Sequence, residues 1–349
     1  MSKDFVPTEN NFDFLRWFFA FSVVIYHLII LTGNIFLKPL SKIINGDTAV
    51  CGFFIISGFL VTRSWILKKE IKKYSTNRMR RLLPGYLSVV FISIIGLSLF
   101  SKLSLVDYFV NIETVKYLFA NIMFVNFLHP SLPGIFESNS MNAVNGSLWT
   151  IKVEIMFYIL VPIIVLIMTR MKKKLSINIF LVLVYLSTYI YRSLCHYIAI
   201  SYGISVFNVL AHQTPGYINY FSTGILLYIN FEIIKKHEKK LIIPAIVFVI
   251  LHYLIGTDYI FPLALGIIVF YIAFNFGKLN KFGKYGDFSY GTYIFHFPII
   301  QLCIALGLIT NKTSIRYFIP IIFTLLFSYA SWHIIEKRFL KRRLTTAST

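Results

Sequence analysis

NFDFLRWFFAFSVVIYHLIIL, residues 11–31, is the stretch whose reading decides the fold. Its length and apolarity suit a helix crossing a bilayer, which takes about 20 residues at about 1.5 Å each. It carries two basic side chains, Arg16 near its start and His27 towards its end. Such a group inside a span costs about 2.5–3.5 kcal/mol on insertion scales, so it marks a functional position. His27 lies eleven residues beyond Arg16. Eleven steps of about 100° make roughly three turns plus 20°, so both side chains leave one helix face about 16 Å apart along the axis. One stripe carries a fixed cation and a titratable imidazole.

The remaining composition agrees with a membrane setting. The 349 residues are 57% hydrophobic and 14% charged, with a mean hydropathy of +0.72. These values exclude an ordinary soluble domain and predict an all-α, polytopic membrane helix bundle. The net charge of +20 does not point to nucleic acid, because the cations cluster in short loops between apolar runs, where orientation requires them. Cys51, Cys195 and Cys303 sit in apolar runs and read as small buried hydrophobes, not as a disulfide framework. The first apolar run is too long for a signal peptide, contains Arg16 and lacks a small-residue cleavage site. Asn145-Gly-Ser147 and Asn311-Lys-Thr313 fit the glycosylation pattern, but so short a pattern carries no weight.

Ten stretches are expected to cross: 12–32, 48–67, 83–100, 149–169, 176–195, 212–230, 241–255, 259–276, 288–308 and 316–335. Of these, 241–255 is short. Lysine and arginine orient them. Residues 63–81 hold Arg63, Lys68, Lys69, Lys72, Lys73, Arg78, Arg80 and Arg81 against Glu70 alone, so that segment faces the cytoplasm. The basic groups at 170–174, 235–240, 278–284 and 337–343 fall on the same side only if 101–148 lies outside. The run 117–128, about 12 apolar residues, is then a re-entrant or interfacial helix. Both termini are cytoplasmic. Residues 1–349 read as a single integral-membrane domain with no appended soluble domain, in the inner (plasma) membrane, multi-pass.

Among the acids, Glu154 in LWTIKVEIMFYILVP is the one placed clearly within a span. It lies about 7–8 Å below the outer surface, while His27 rises about 22 Å into a core of about 30 Å, so the depths agree. A carboxylate that orients an imidazole and stabilises its cation suits general-base catalysis. Pairing of Glu154 with Lys152 is the weaker reading, since residues two apart on a helix do not face each other. Arg16 also reads as a snorkelling cation at the interface. Arg78 and Arg81, spaced i, i+3 in RMRRLLPGY, present guanidinium forks suited to phosphate, although the positive-inside signal explains them more simply. Ser57-Gly58 reads first as close helix packing and second as a serine nucleophile. His296, in SYGTYIFHFPII with Tyr290 and Tyr293, either lines a cavity near the midplane or is a hydrogen-bonded structural histidine. His252 and His333 read as structural. No cluster has metal-ligand spacing.

Several of these segments together resemble one family, the acyltransferase-3 integral-membrane acyltransferases. They are Arg16 and His27 with ten residues between them, FFIISGF at 53–59, Arg78-x-x-Arg81 with Pro84, and SLWTIKVEIMFY at 147–158. The stretch from Gly286 through Ser289, Tyr290, Tyr293 and His296, Phe221-Ser-Thr-Gly224, and Glu336 also fit. The match covers nearly the whole chain in the family's order. Thr150, Lys152 and Arg338 stand where serine, a small residue and proline are usual. The chain resembles the stand-alone members, so any envelope-modification partner is expected as a separate chain.

The resemblance implies transfer of an acetyl group from acetyl-CoA to a hydroxyl of a cell-envelope glycan, such as O-antigen, capsule or exopolysaccharide. In that scheme His27 is base or acyl acceptor, assisted by Glu154. Arg16, Arg78 and Arg81 hold the donor's phosphates. Ser57, Trp149, Tyr290 and His296 line the cavity or meet the acceptor. The partners are acetyl-CoA, the glycan and the bilayer, with no nucleic acid, metal or prosthetic group. A peptidoglycan or small-molecule acceptor remains open. So does a transporter of a lipid-linked or acylated intermediate, in which the same buried ionisable groups would be ligands.

Overall fold

A computed structural model describes residues 6–34, 37–42, 44–310 and 315–341. The Asn311-Lys-Thr313 pattern and the two chain ends expected in the cytoplasm lie outside the described residues. Every regular element among them is helical. In order these are α1 (Phe12–Thr32), α2 (Gly46–Lys68), α3 (Ile71–Leu97), α4 (Leu105–Val110), α5 (Ile112–Ile122), α6 (Trp149–Arg170) and α7 (Lys174–Ser201). There follow α8 (Val206–Ala211), α9 (Thr214–Ile229), α10 (Phe231–Ile255), α11 (Phe261–Asn275), α12 (Ser289–Ala305), α13 (Phe318–Ala330) and, after a π-helical turn over Ser331–Glu336, α14 (Lys337–Lys341).

Each of the ten predicted stretches falls on a helix. Six helical segments among the described residues are long and apolar enough to cross a membrane: α1, α2, α3, α6, α7 and α13 with its continuation. Counting α11 with the segment Gly277–Tyr285, bent from it by 76°, adds a seventh. The helices α9, α11 and α12 have 16, 15 and 17 residues, short of the roughly 20 that a straight crossing takes. The 25 residues of α10 start with Glu232, Lys235, Lys236, Glu238, Lys239 and Lys240, which leaves only its second half apolar.

Helix limits differ from the hydropathy limits wherever charge flanks an apolar run. The basic segment 63–81 is mostly helical: α2 runs to Lys68, α3 resumes at Ile71, and Lys69 between them takes a left-handed φ of 51°. Lysine and arginine are good helix formers, so charge does not stop a helix. The re-entrant or interfacial candidate at 117–128 overlaps α5, over 112–122. Asn111 caps its start by accepting from the Glu113 amide, and Phe124, at φ 57°, lies just past its end. It buries Thr114, Tyr117, Ala120 and Asn121 along one side and exposes Ile112, Val115, Phe119 and Ile122, as an interfacial helix does.

The helices form two compact units, each described by itself. One gathers the described residues up to Leu15 with Val50–Ser75 and Val153–Phe282. Here α9 packs against α7 and α11, and α10 against α11. A Cβ on Gly58 would meet the Phe221 carbonyl, and one on Gly224 the Ile55 carbonyl. The Ser57-Gly58 pair therefore does serve close packing, of α2 on α9. Asn11 donates to the carbonyls of Ile272 (2.7 Å) and Phe276 (3.0 Å), satisfying orphan acceptors at the end of α11.

The other unit gathers Arg16–Ala49, Thr76–Lys152 and the described residues from Gly283 on. Its centre is α12, which is buried on nearly all sides, as expected of a helix apolar all round. Val24, Leu28 and Leu31 of α1 share a core with Phe297, Ile300 and Cys303 of α12. Gly291 of α12 lies against Ser328 of α13, and a Cβ there would come 2.8 Å from the Ser328 Cα. The loop before α6 is tied down by side chains. Gln301, fully buried, donates to the carbonyls of Met141 (2.5 Å) and Ala143 (2.8 Å). Asn145 donates to the Ile294 carbonyl at 2.8 Å and is itself buried, so its pattern is internal structure.

Candidate active site

The ionisable groups of the second unit come from α1, α3 and the start of α12, and they meet at two levels. At the upper level His27 of α1 meets His296 of α12, with Nδ1 of the first 2.9 Å from Nε2 of the second. The roles follow from the next bond along. Nδ1 of His296 faces the Thr292 carbonyl at 3.2 Å. A carbonyl only accepts, so that nitrogen carries the hydrogen and Nε2 of a neutral His296 is the acceptor. His27 then donates from Nδ1, which leaves the lone pair of its Nε2 uncommitted. The proton positions are assigned from this network. His296 has 0% exposure, whereas His27 is half-buried.

At the lower level one carboxylate gathers two arginines. Arg16 Nη1 of α1 lies 3.4 Å from Asp287 Oδ2, and Arg81 Nη2 of α3 donates to the same oxygen. The other oxygen, Oδ1, accepts from the Ser289 amide (3.2 Å) and hydroxyl (2.5 Å) at the start of α12. Burial favours the neutral form of Asp287, but Arg16 and Arg81, helped by Ser289, hold its carboxyl well below the usual carboxylate range. Within this trio two guanidiniums face one carboxylate. Arg16 and Arg81 remain 19% and 29% exposed. Glu336, which accepts from the Ser331 hydroxyl at 2.7 Å, lies near enough to interact with Arg81 and Asp287.

Sequence reasoning missed Asp287. It stands just ahead of a helix start, where an aspartate has an ordinary local role, and its Oδ1 does accept from Ser289. The signal for its second role is that it is the acid nearest His296 along the chain, within a segment otherwise rich in lysine.

The remaining expected residues fall as follows. Arg78 lies on α3 one turn before Arg81 and is half-buried. Tyr290 seats its ring against Gly85, where a Cβ would come 2.6 Å from it, and donates to the Leu82 carbonyl at 2.9 Å. It thereby holds α12 to the turn of α3 that bears Arg81. Tyr293 pairs its hydroxyl with Thr150 at 2.7 Å, so the threonine supplies the hydroxyl expected of a serine. Trp149 begins α6 and is half-buried. Lys152 sits 4.5 Å above the Phe127 ring, a cation–π contact. In the first unit, Glu154 accepts from the Tyr158 hydroxyl one turn further on. The buried Ser57 hydroxyl has no hydrogen-bond partner among the described residues. No group of three or more His, Cys, Asp or Glu among the described residues could hold a metal.

Apolar helices long enough to cross a membrane, with an imidazole pair shared by α1 and α12 and a carboxylate before α12 bound by arginines of α1 and α3, define a membrane protein with an internal ionisable site. Residues 9–333 match the model of the acyltransferase-3 family, described as an acyltransferase domain, and the chain belongs to that family. It is an acyltransferase. Over 354 aligned residues it is 24% identical to the O-acetyl transferase of Shigella phage Sf6, covering 96% of this chain and 97% of that one. A protein of Acidianus two-tailed virus, named provisionally as an acetyltransferase, is 24% identical over 324 residues, 88% of each chain. Nodulation protein 10 of Rhizobium leguminosarum bv. viciae is 28% identical over 175 residues, 47% of this chain and 46% of that one. No solved structure matches the chain.

Proposed function

We propose that the protein transfers an acetyl group from cytoplasmic acetyl-CoA to a hydroxyl of a cell-envelope polysaccharide. The family supports acyl transfer, and the phage relative's name supports oxygen as the acceptor atom and acetyl as the group. The observation that carries the mechanism is the His27–His296 hydrogen bond, which leaves Nε2 of His27 as the available base.

The acceptor hydroxyl gives its proton to Nε2 as its oxygen attacks the thioester carbonyl. The new carbon–oxygen bond forms, the carbon–sulfur bond breaks, and the leaving thiolate recovers the proton from the imidazolium. The same lone pair serves a two-step route in which His27 first takes the acetyl group. Glu154 assists His27 in this scheme, and Arg16, Arg78 and Arg81 hold the donor's phosphates. Ser57, Trp149, Tyr290 and His296 line the cavity or meet the acceptor. The chain acts as one domain of about ten crossings in the inner membrane, with α5 at the outer interface and both termini in the cytoplasm.

The test uses purified protein in liposomes with labelled acetyl-CoA and a crude envelope polysaccharide fraction. Parent protein should label the glycan and His27→Ala should not. Equal labelling by both would remove His27 from the chemistry.

A further inference from the structure

The first unit holds a cavity that transfer chemistry does not use. It has a volume of about 700 Å³ and lies where the end of α2, the end of α6 and the start of α7 meet. That size is within the range of about 300–1,000 Å³ typical of small-ligand sites. Its walls include Ile66, Val165, Met168 and Ile177, and its rim carries Lys69, Lys172 and Lys174.

Three observations set the chemistry of what fits. First, none of the three lysines has an acid within ion-pair distance among the described residues, and the nearest acid in sequence, Glu70, is taken by Lys73 at 2.7 Å. Second, Lys69 occupies a left-handed backbone position, φ 51°, which glycine or asparagine fills more easily. The side chain of this residue lines the cavity. Third, α7 starts beside the same space without a side-chain cap, so its first-turn amides add to the positive end. Cations above and aliphatic walls below match an amphiphile with an anionic head.

We propose that this cavity binds one anionic phospholipid, its headgroup among Lys69, Lys172 and Lys174 and its upper chains against Ile66, Val165 and Ile177. The leaflet, cytoplasmic, rests on the orientation proposed above; the binding itself does not depend on acetyl transfer. Basic pockets between membrane helices on the cytoplasmic side take such headgroups.

The experiment is native mass spectrometry of the full chain in neutral detergent, titrated with phosphatidylglycerol and with phosphatidylcholine of the same acyl chains. Parent protein should retain one phosphatidylglycerol well above the level of phosphatidylcholine. The triple variant K69Q/K172Q/K174Q should weaken it on the order of 100-fold, at about fivefold per cation. Thr169→Trp keeps all three charges but fills the space, and should expel the lipid too. It decides the matter if the triple variant does not fold. Equal retention of both lipids, or an unchanged phosphatidylglycerol signal in a folded variant, overturns the proposal. So does displacement by soluble acetyl-CoA or inorganic phosphate, which would make the cavity an ordinary anion site. None of these readouts requires acetyl transfer, so their failure is separate from failure of the proposed reaction.

Discussion

Nδ1 of His27 hydrogen-bonds Nε2 of His296, and of the two rings only His27 retains exposure. If His296 fixes the tautomer of His27, its removal should damage turnover more than donor binding. His296→Ala should lower kcat by about 10²-fold or more, the low end of what positioned acid–base groups contribute. The donor KM should stay near the parent's. His296→Gln retains an acceptor oxygen and should recover part of the loss. An equal loss in both variants would mean that His296 serves packing alone.

Arg16 and Arg81 make the complementary case. Charge-assisted hydrogen bonds contribute about 1.5–3 kcal/mol, so Arg81→Gln should raise the donor KM about 10- to 100-fold with a smaller effect on kcat. Equilibrium binding of labelled acetyl-CoA to Arg16→Gln and Arg81→Gln checks this directly. Unchanged binding in both would move the donor's phosphates elsewhere.

Asp287 predicts a pH dependence of stability. Burial opposes its charged form, but Arg16 and Arg81 outweigh burial and depress its pKa in the fold. Such a group stabilises fully above its unfolded pKa, about 3.9 for aspartate. That contribution is lost as pH falls through this value towards the folded one. Asp287→Asn should therefore melt below the parent near neutral pH, and the gap should narrow below about pH 4. A gap that is constant with pH would show that the pair contributes nothing through protonation.

Gly58 and Gly224 predict a cost of packing. Each faces carbonyl oxygen across the α2–α9 contact, so Gly58→Ala or Gly224→Ala should destabilise by about 1–3 kcal/mol. The double variant should cost less than the sum, because separating the helices for one methyl makes room for the other. Denaturation followed by circular dichroism measures all three, and a parent-like midpoint for Gly58→Ala would contradict the close approach.

Hydropathy alone located the ten helical stretches, since apolar runs of span length have few alternatives. It mislaid their ends. Ile71 and Phe231 start their helices well before the apolar residues because lysine and arginine extend a helix as readily as leucine does. Arg16 and His27 were legible because ionisable groups in an apolar run are conspicuous. His296 as hydrogen-bond partner was not. Depth along the membrane normal says nothing about which way around its helix a side chain points. Asp287 was hidden by an ordinary local explanation, its bonds from Ser289, and only the meeting of α1, α3 and α12 gives its second oxygen a purpose.

Two ties between the same two helices make a ruler. Arg16 and His27 are eleven positions apart on α1, and their partners Asp287 and His296 nine positions apart at α12. The interval between the ties is about 14–16 Å, set by residue count and helical rise. A donor gripped by its anionic head at one tie reacts at the other only if its arm has that reach. Inserting one residue between Arg16 and His27 would swing the imidazole by about 100° and break the upper tie while leaving the lower one intact. In the proposed scheme this interval is the distance from head to acyl carbon, so acyl groups on carriers of another length are expected to be refused before their chemistry matters.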